Sequence, residues 1–468
     1  MFLGDVPRRR IGLVVDHPER DLDGLCLVAQ RLAERGHESV LLPFYTQHFD
    51  LPNIRLDAIV LNYVRPANLA LVRAAAARGI ALVVLDTEGG LLPDSGPTSP
   101  AGIARFLRAS GIDRQLALYL FWGEALRERI LADTALPAHR ALVTGCPRFD
   151  LARREYNAPS GTPAVILVNT NFPVVNPALA DGSAIDDRAL ASVGFAPDEI
   201  RAIAQSVQLV MDRVIDAVQI LARARPARRF VVRPHPFEAL EPYHRAFDGF
   251  ENVTVRRTGS AVEALASASC MLHVNCTTAI EACQSGVPPI SLDFLNEAAL
   301  VRMARLPSRI SHGADSIEQA LDLIDRAESL SAGVMHEAIT PHFGPLDGKA
   351  AIRIAEALAD RPLPSSAGED PQPWRQRIAA ALGAAIGSRA IESARRAIRP
   401  ARSIKGFTLS QVRDRIDRFA GLHGHDAARV EPLRTALGLP IMALRISPSS
   451  EKNAMLHDLD QLEGQSHA

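Results

Sequence analysis

Short apolar runs alternate with helix-period segments along most of this chain, and that alternation restricts the fold more than any single motif. RRRIGLVVDHPERD reads as a strand entering a loop. LDGLCLVAQRLAERGHE follows with Leu25, Val28, Ala29, Leu32 and Ala33 at the spacing of one helix face, and Gly36 closes it. SVLLPF and DAIVLNYV are the next strands, ANLALVRAAAARGI is a second helix ending in glycine, and ALVVLDTEGG, LYLFWG and RALVTG continue as strands. The same grammar then begins again. AVILVNTN is a strand, DEIRAIAQSVQLVMDRVIDAVQILARARP a long helix stopped by Pro226, and RRFVVRPHP, NVTVRRT, CMLHVNCT and PPISLD are strands separated by helical segments. Strand–helix–strand repetition of this kind is satisfied by parallel sheets with helices on both faces.

At 468 residues the chain exceeds what one core usually holds. The spacing predicts two α/β domains, 1–155 and 156–360, facing a cleft. A Pro/Ser-rich linker follows at 361–373, and then a helical basic tail at 374–468 headed by Trp374. The last residues, from SPSSEKN onward, are polar and read as frayed.

Charge and cysteine content narrow the setting. Lys+Arg 52 against Asp+Glu 53 gives a net charge of −1, so no overall field draws the chain to nucleic acid. The five cysteines are odd in number and lack CxxC pairing, the habit of a reducing compartment. MFLGDVPRRRIGLVVDHPE lacks the long apolar stretch of a signal peptide, and no run approaches a membrane span. The expectation is a cytoplasmic protein, attached at most to a membrane face.

Ligands of open α/β sheets sit outside the carboxyl ends of the strands. Those ends here carry Asp16-His17-Pro18, Asp86-Thr87-Glu88-Gly89-Gly90, Asn169-Thr170-Asn171, Arg233-Pro234-His235-Pro236 and Asn275-Cys276-Thr277-Thr278. In RPHPFE a proline on each side stiffens the backbone at His235 and removes two N–H donors, so the strand cannot go on pairing. Arg233, two residues earlier, lies on the same side of the pleat, and the pair suits a phosphate oxygen. The plainer reading is a proline strand-stop with His235 capping a turn.

HVNCTTAIEACQSGVP is strand, polar turn, helix and glycine. Thr277 and Thr278 fall at the helix start, where hydroxyls and free N–H groups bind anions, and Glu281 follows within reach of a ribose hydroxyl. The structural alternative is a displaced capping arrangement between Thr277 and Glu281.

Together RPHP and NCTTAIEA resemble the HP and Ser/Thr motifs of bacterial GT-B transferases that use CMP-activated sugars, the sialyl- and Kdo-transferases of capsules and lipopolysaccharides. More closely, VTGCPRFDL, VILVNTNFPVVN, RPHPFE and HVNCTTAIEACQSGVPPISL resemble a bacterial surface carbohydrate biosynthesis protein family, over roughly residues 10–360. The resemblance implies a GT-B fold, α/β with two Rossmann-like domains and a helical extension. It also implies an inverting glycosyltransferase that uses a nucleotide sugar and a glycan acceptor, with no further cofactor.

Such an enzyme needs a base from the first domain. Glu88 in LDTEGG is the first choice and Asp86 the second, with Asp16 and His17 on the acceptor side. Asn169, Thr170 and Asn171 would meet phosphate or sugar, or else close an Asx-turn. Arg148 in CPRFD faces the domain junction, to bind phosphate or pair with Asp150, and is read as structural. Asp21-Leu22-Asp23 spells DxD on a helix entry, where acids favour the helix dipole, so no metal site is expected. A GxGxxG is missing from the first loop, against NAD use.

Competing readings are a UDP-sugar 2-epimerase of the same fold, a teichoic-acid-like polyol-phosphate transferase, and a non-catalytic subunit of a glycan assembly complex. The basic tail would either lie on the inner membrane face or pack on the domain or a second copy. Its Ala-rich face buries little area and favours packing.

Overall fold

A computed structural model describes residues 7–153, 165–178, 190–191, 195–257, 259–296, 305–332, 336–365, 374–398 and 406–449. The boundary drawn at 155, most of the 361–373 linker, the side chain of Trp374 and the last nineteen residues lie outside them.

The first sheet begins with β1 (Arg10–Val15), β2 (Glu38–Pro43), β3 (Ala58–Leu61), β4 (Ala81–Leu85), β5 (Leu116–Phe121) and β6 (Ala141–Val143). These six are parallel in the order β2-β1-β3-β4-β5-β6, with Leu13 of β1 opposite Leu41 of β2 and Val60 of β3. Helices cover both faces, so all strand residues but Arg10, Leu142 and Val143 are buried and the strands read as largely apolar runs.

The second sheet holds β7 (Val165–Asn169), β8 (Arg229–Arg233), β9 (Val253–Val255), β10 (Ala268–His273), β11 (Pro289–Leu292) and β12 (His312–Ala314). All pair in parallel, in the order β12-β11-β10-β7-β8-β9. Each sheet reverses its winding direction once, between β1 and β3 in the first and between β7 and β10 in the second. Those switch points open crevices at the strands' carboxyl ends.

Residues 336–360, which the sequence groups with the second half, pack against the first. Helix Ala350–Asp360 lies on helix Asp23–Glu34. Both oxygens of Asp150 accept its first amides, Ala350 N at 3.0 Å and Ala351 N at 2.7 Å. Arg9 donates to the carbonyls of Leu358 and Ala359 at the other end. Asp150 is therefore engaged as a helix cap, not as the partner of Arg148. Helix His336–Phe343 meets helix Glu124–Asp133, where a Cβ on Gly123 would stand 2.4 Å from Pro341 O. Two parallel sheets facing one cleft, with a closing helix that returns to the first, form the expected GT-B arrangement.

The tail is helical only in part. Helices Trp374–Ile386, Ser388–Ile398 and Leu409–His423 are followed by a hairpin, β13 (Arg429–Arg434) and β14 (Pro440–Ser447). β14 runs antiparallel to β2, with Leu444 opposite Leu41, and extends the first sheet to eight strands. Ile441, Ala443, Leu444 and Ile446 are buried there. The hairpin covers what would otherwise be the exposed edge of β2, so the tail completes the first domain.

Candidate active site

A cavity of about 640 Å³ lies between the carboxyl ends of the two sheets. Ten of the thirteen residues singled out in the sequence line it: Glu88, Asn169, Thr170, Asn171, Arg233, His235, Asn275, Thr277, Thr278 and Glu281. Asp16, His17 and Asp86 do not.

On the second-half side the RPHPFE loop is held by more than its prolines. Glu238, fully buried, accepts the His235 amide at 2.9 Å, the Thr170 hydroxyl at 2.8 Å and the Tyr243 hydroxyl. Its carboxyl is raised by burial, against which these donors act. Within the loop His235 Nδ1 accepts the Phe237 amide at 3.2 Å, which leaves the ring proton on Nε2. Burial, with the guanidiniums of Arg20, Arg233, Arg257 and Arg148, pushes His235 down to about 3. The imidazole is neutral at physiological pH and offers one N–H. Arg233, also buried, donates to Gly259 O at 3.0 Å, and its Nε has no partner among the described residues.

Across the switch point, Asn169 Nδ2 donates to Thr278 Oγ1 at 2.9 Å, so the Thr278 O–H remains available to donate. Asn275 bends the chain with φ 44°, a left-handed conformation that asparagine tolerates better than most residues. The side-chain oxygens of Asn169 and Asn275 are buried and unpartnered among the described residues. Helix Thr278–Gln284 has no side-chain cap at Thr277, so the Thr277–Glu281 capping arrangement does not form. Glu281 instead faces Arg148, with Nε and Oε1 3.4 Å apart. Arg148 stacks over Phe149 at 4.8 Å and lines the cavity, so of its two sequence readings the pairing with Asp150 is the one corrected.

The first-half wall is built around Arg20. Its guanidinium bonds Asp16 at 2.6 Å, Asp21 at 2.9 Å and Glu88 at 3.1 Å. Asp16 thus serves a buried charge cluster behind the wall. His17 is also interior: Nδ1 accepts the Glu19 amide at 3.2 Å, and the ring meets Phe237 of the other half edge-on at 4.8 Å. Asp86 is buried beneath the site, bonded by the Tyr119 hydroxyl, while its backbone carbonyl accepts Trp122 Nε1 at 2.7 Å. Burial raises its carboxyl, opposed by Arg65 and Tyr119. Apolar packing behind the strand end encloses Asp86, whereas Glu88, two residues on, reaches the cavity.

No family model matches the chain, and no curated protein matches it. Among solved structures, the UDP-GlcNAc 2-epimerase of Methanocaldococcus jannaschii in complex with UDP-GlcNAc and UDP is similar at 12% identity and a TM-score of 0.45. That match covers 75% of this chain and 100% of that one. A putative UDP-N-acetylglucosamine 2-epimerase from Listeria monocytogenes shows 13% identity and a TM-score of 0.48, covering 78% and 98%. The wall teichoic acid polymerase TagF shows 12% identity and a TM-score of 0.49, covering 76% and 89%.

Sequence reasoning missed several residues at the cavity. Glu19, Arg20 and Arg65 line it, and so does Arg148, which the sequence placed at the domain junction. Partial burial raises the Glu19 carboxyl, with Arg257 and Arg233 opposing. A signal existed in DHPERD, which repeats the His-Pro of RPHPFE at a strand end of the other half. Both histidines accept an amide two residues on through Nδ1. Among the described residues no His, Cys, Asp or Glu group gathers to hold a metal ion.

Proposed function

We propose that the protein is an inverting glycosyltransferase, moving a sugar from a nucleotide donor to a surface-glycan acceptor. The observation that supports this is the convergence on one cavity of four arginines (Arg20, Arg65, Arg148, Arg233), a neutral His235 and two threonine hydroxyls, with Glu88 beside Arg20 on the wall facing His235. Its volume suits a nucleotide sugar.

In this reading the donor phosphates accept hydrogen bonds from Arg233, His235 Nε2, Thr277 and Thr278, and Glu281 reaches the ribose. The acceptor hydroxyl attacks the anomeric carbon as the bond from that carbon to the phosphate oxygen breaks. Glu88 takes the hydroxyl proton, and the departing nucleotide leaves as an anion balanced by the arginines. Asn169 holds Thr278 in place. The motif resemblance makes CMP the expected nucleotide. The five buried thiols support a reducing, cytoplasmic setting.

The test is incubation with CMP-, UDP-, GDP- and CDP-linked substrates, with and without glycan acceptor. Acceptor-dependent release of CMP is the expected result. A new UDP-sugar formed without acceptor would make the protein an epimerase, and polyol-phosphate transfer from a CDP donor would make it a teichoic-type polymerase. No turnover, together with full cellular glycan in His235→Ala and Glu88→Ala strains, would leave only a binding role.

A further inference from the structure

We propose that the outer face of helix Trp374–Ile386 docks on an anionic lipid bilayer surface. Ile378, Ala381, Leu382, Ala385 and Ile386 repeat at the spacing that normally turns a helix toward a core. Here that stripe faces outward: Ile378 is 50% exposed, Leu382 43% and Ile386 48%. The inner face is already occupied. Gly383 presses on helix Gln47–Asp50, where a Cβ would stand 2.4 Å from Phe49 O. The sequence expectation of a helix packed on the domain therefore describes one face and leaves the apolar one uncovered among the described residues.

Charge selects the occupant. Residues 374–407 carry eight basic side chains and one acidic, while the whole chain has a net charge of −1. Arg377 and Arg389 are exposed at either end of the stripe. Ile398, 80% exposed, ends the next helix. Leu437, 74% exposed, sits on the turn of the β13–β14 hairpin, which adjoins at Gly387, where a Cβ would lie 2.6 Å from Pro440 O. An apolar stripe bordered by arginines matches the acyl–headgroup boundary of an anionic leaflet, with each arginine contributing roughly fivefold in partition. No helix of the described residues is long and apolar enough to cross a membrane, so the contact is peripheral.

The placement also has a consequence for the cavity. Tyr45, just before helix Gln47–Asp50, lines it. The bilayer would lie one loop from the first-half wall.

Co-sedimentation of the full chain with vesicles tests this without any substrate, so its outcome is separate from that of the transfer reaction. Binding to phosphatidylglycerol–phosphatidylcholine vesicles, little binding to phosphatidylcholine alone, and loss at high salt are expected. Leu382→Glu/Ile386→Glu should lower the bound fraction at least about tenfold. Arg377→Glu/Arg389→Glu should do the same by removing the charge contribution. Both pairs are exposed, and an unchanged thermal midpoint confirms folding. No vesicle binding, or binding unaffected by both variants, overturns the proposal. So does a dimer in vesicle-free solution that Leu382→Glu/Ile386→Glu dissociates, because the stripe would then belong to a second copy.

Discussion

The imidazole of His235 accepts the backbone N–H of Phe237 through Nδ1 at 3.2 Å, which fixes both ring orientation and tautomer. Only Nε2–H remains for a ligand. With the ring pushed down to about 3 by burial and four neighbouring guanidiniums, it does not gain a proton at working pH. It donates a hydrogen bond without shuttling a proton. His235→Asn should lower kcat by about 10²–10³-fold, the usual cost of losing one such donor. The kcat/KM profiles of wild type and variant should keep the same shape between about pH 5 and 9. A limb near pH 6.5 in the wild type that vanishes in the variant would contradict a permanently neutral imidazole.

Glu238 anchors that loop. Removing its carboxylate leaves the His235 amide, the Thr170 hydroxyl and the Tyr243 hydroxyl without an acceptor in a buried site. Each orphaned donor costs about 1–3 kcal/mol, and the costs overlap. Glu238→Ala should therefore lose at least about 3 kcal/mol in urea unfolding, and Tyr243→Phe only about 1. A loss under about 1 kcal/mol for Glu238→Ala would mean that the prolines alone shape the loop.

Strand ends were legible in the sequence because parallel strands bury both faces and polar residues resume abruptly where they stop. RPHP and NCTT could be placed at one edge of one sheet for that reason. What each polar side chain does there was less legible. Asp86 and Glu88 stand two apart in LDTEGG and look interchangeable, yet one lies under Tyr119 and Trp122 and the other meets the cavity. That difference comes from strands and helices far away in the chain. Arg20 was passed over because its three carboxylate partners come from two strand ends and its own turn. The β13–β14 hairpin escaped because its strands RVEPLR and PIMALRIS mix Arg and Pro into short apolar runs inside a tail that otherwise reads as helical. Its role depends on β2, some four hundred residues earlier.

Arg20 and Glu88 should respond very differently to substitution although they bond each other at 3.1 Å. The Glu88 side chain is 55% exposed, so the ion pair itself contributes only about 0–1 kcal/mol. Glu88→Gln should leave the unfolding midpoint in place and lower kcat at least about 10²-fold, the contribution of a positioned base. Arg20→Met removes the guanidinium that Asp16 and Asp21 share in the interior, and should cost about 3–5 kcal/mol. An active Glu88→Gln enzyme would move the base role elsewhere on the same wall, with Glu19 the next carboxylate to replace.

Asp50 links the tail to the first domain and should set part of the pH dependence of stability. It is fully buried under the tail and accepts the Thr46 hydroxyl at 2.8 Å. Burial raises its carboxyl from 3.8 to about 7, although the Ser388 and Thr46 hydroxyls and the Met442 amide oppose the shift. Between those values the folded chain binds a proton that the unfolded chain has released. Stability is therefore greatest below the unfolded value and falls as pH rises through the window, by at most about 1.4 kcal/mol per pH unit. Asp50→Asn keeps an acceptor for Thr46 but cannot ionise. Its stability relative to wild type should increase from about pH 4 to about pH 7 and then level off, measured by urea unfolding across that range. Asp150, raised to about 6 by burial, is present in both proteins and drops out of the comparison. A difference that stays constant with pH would place the Asp50 proton outside this window, and one that shrinks would mean the carboxylate is favoured in the folded state.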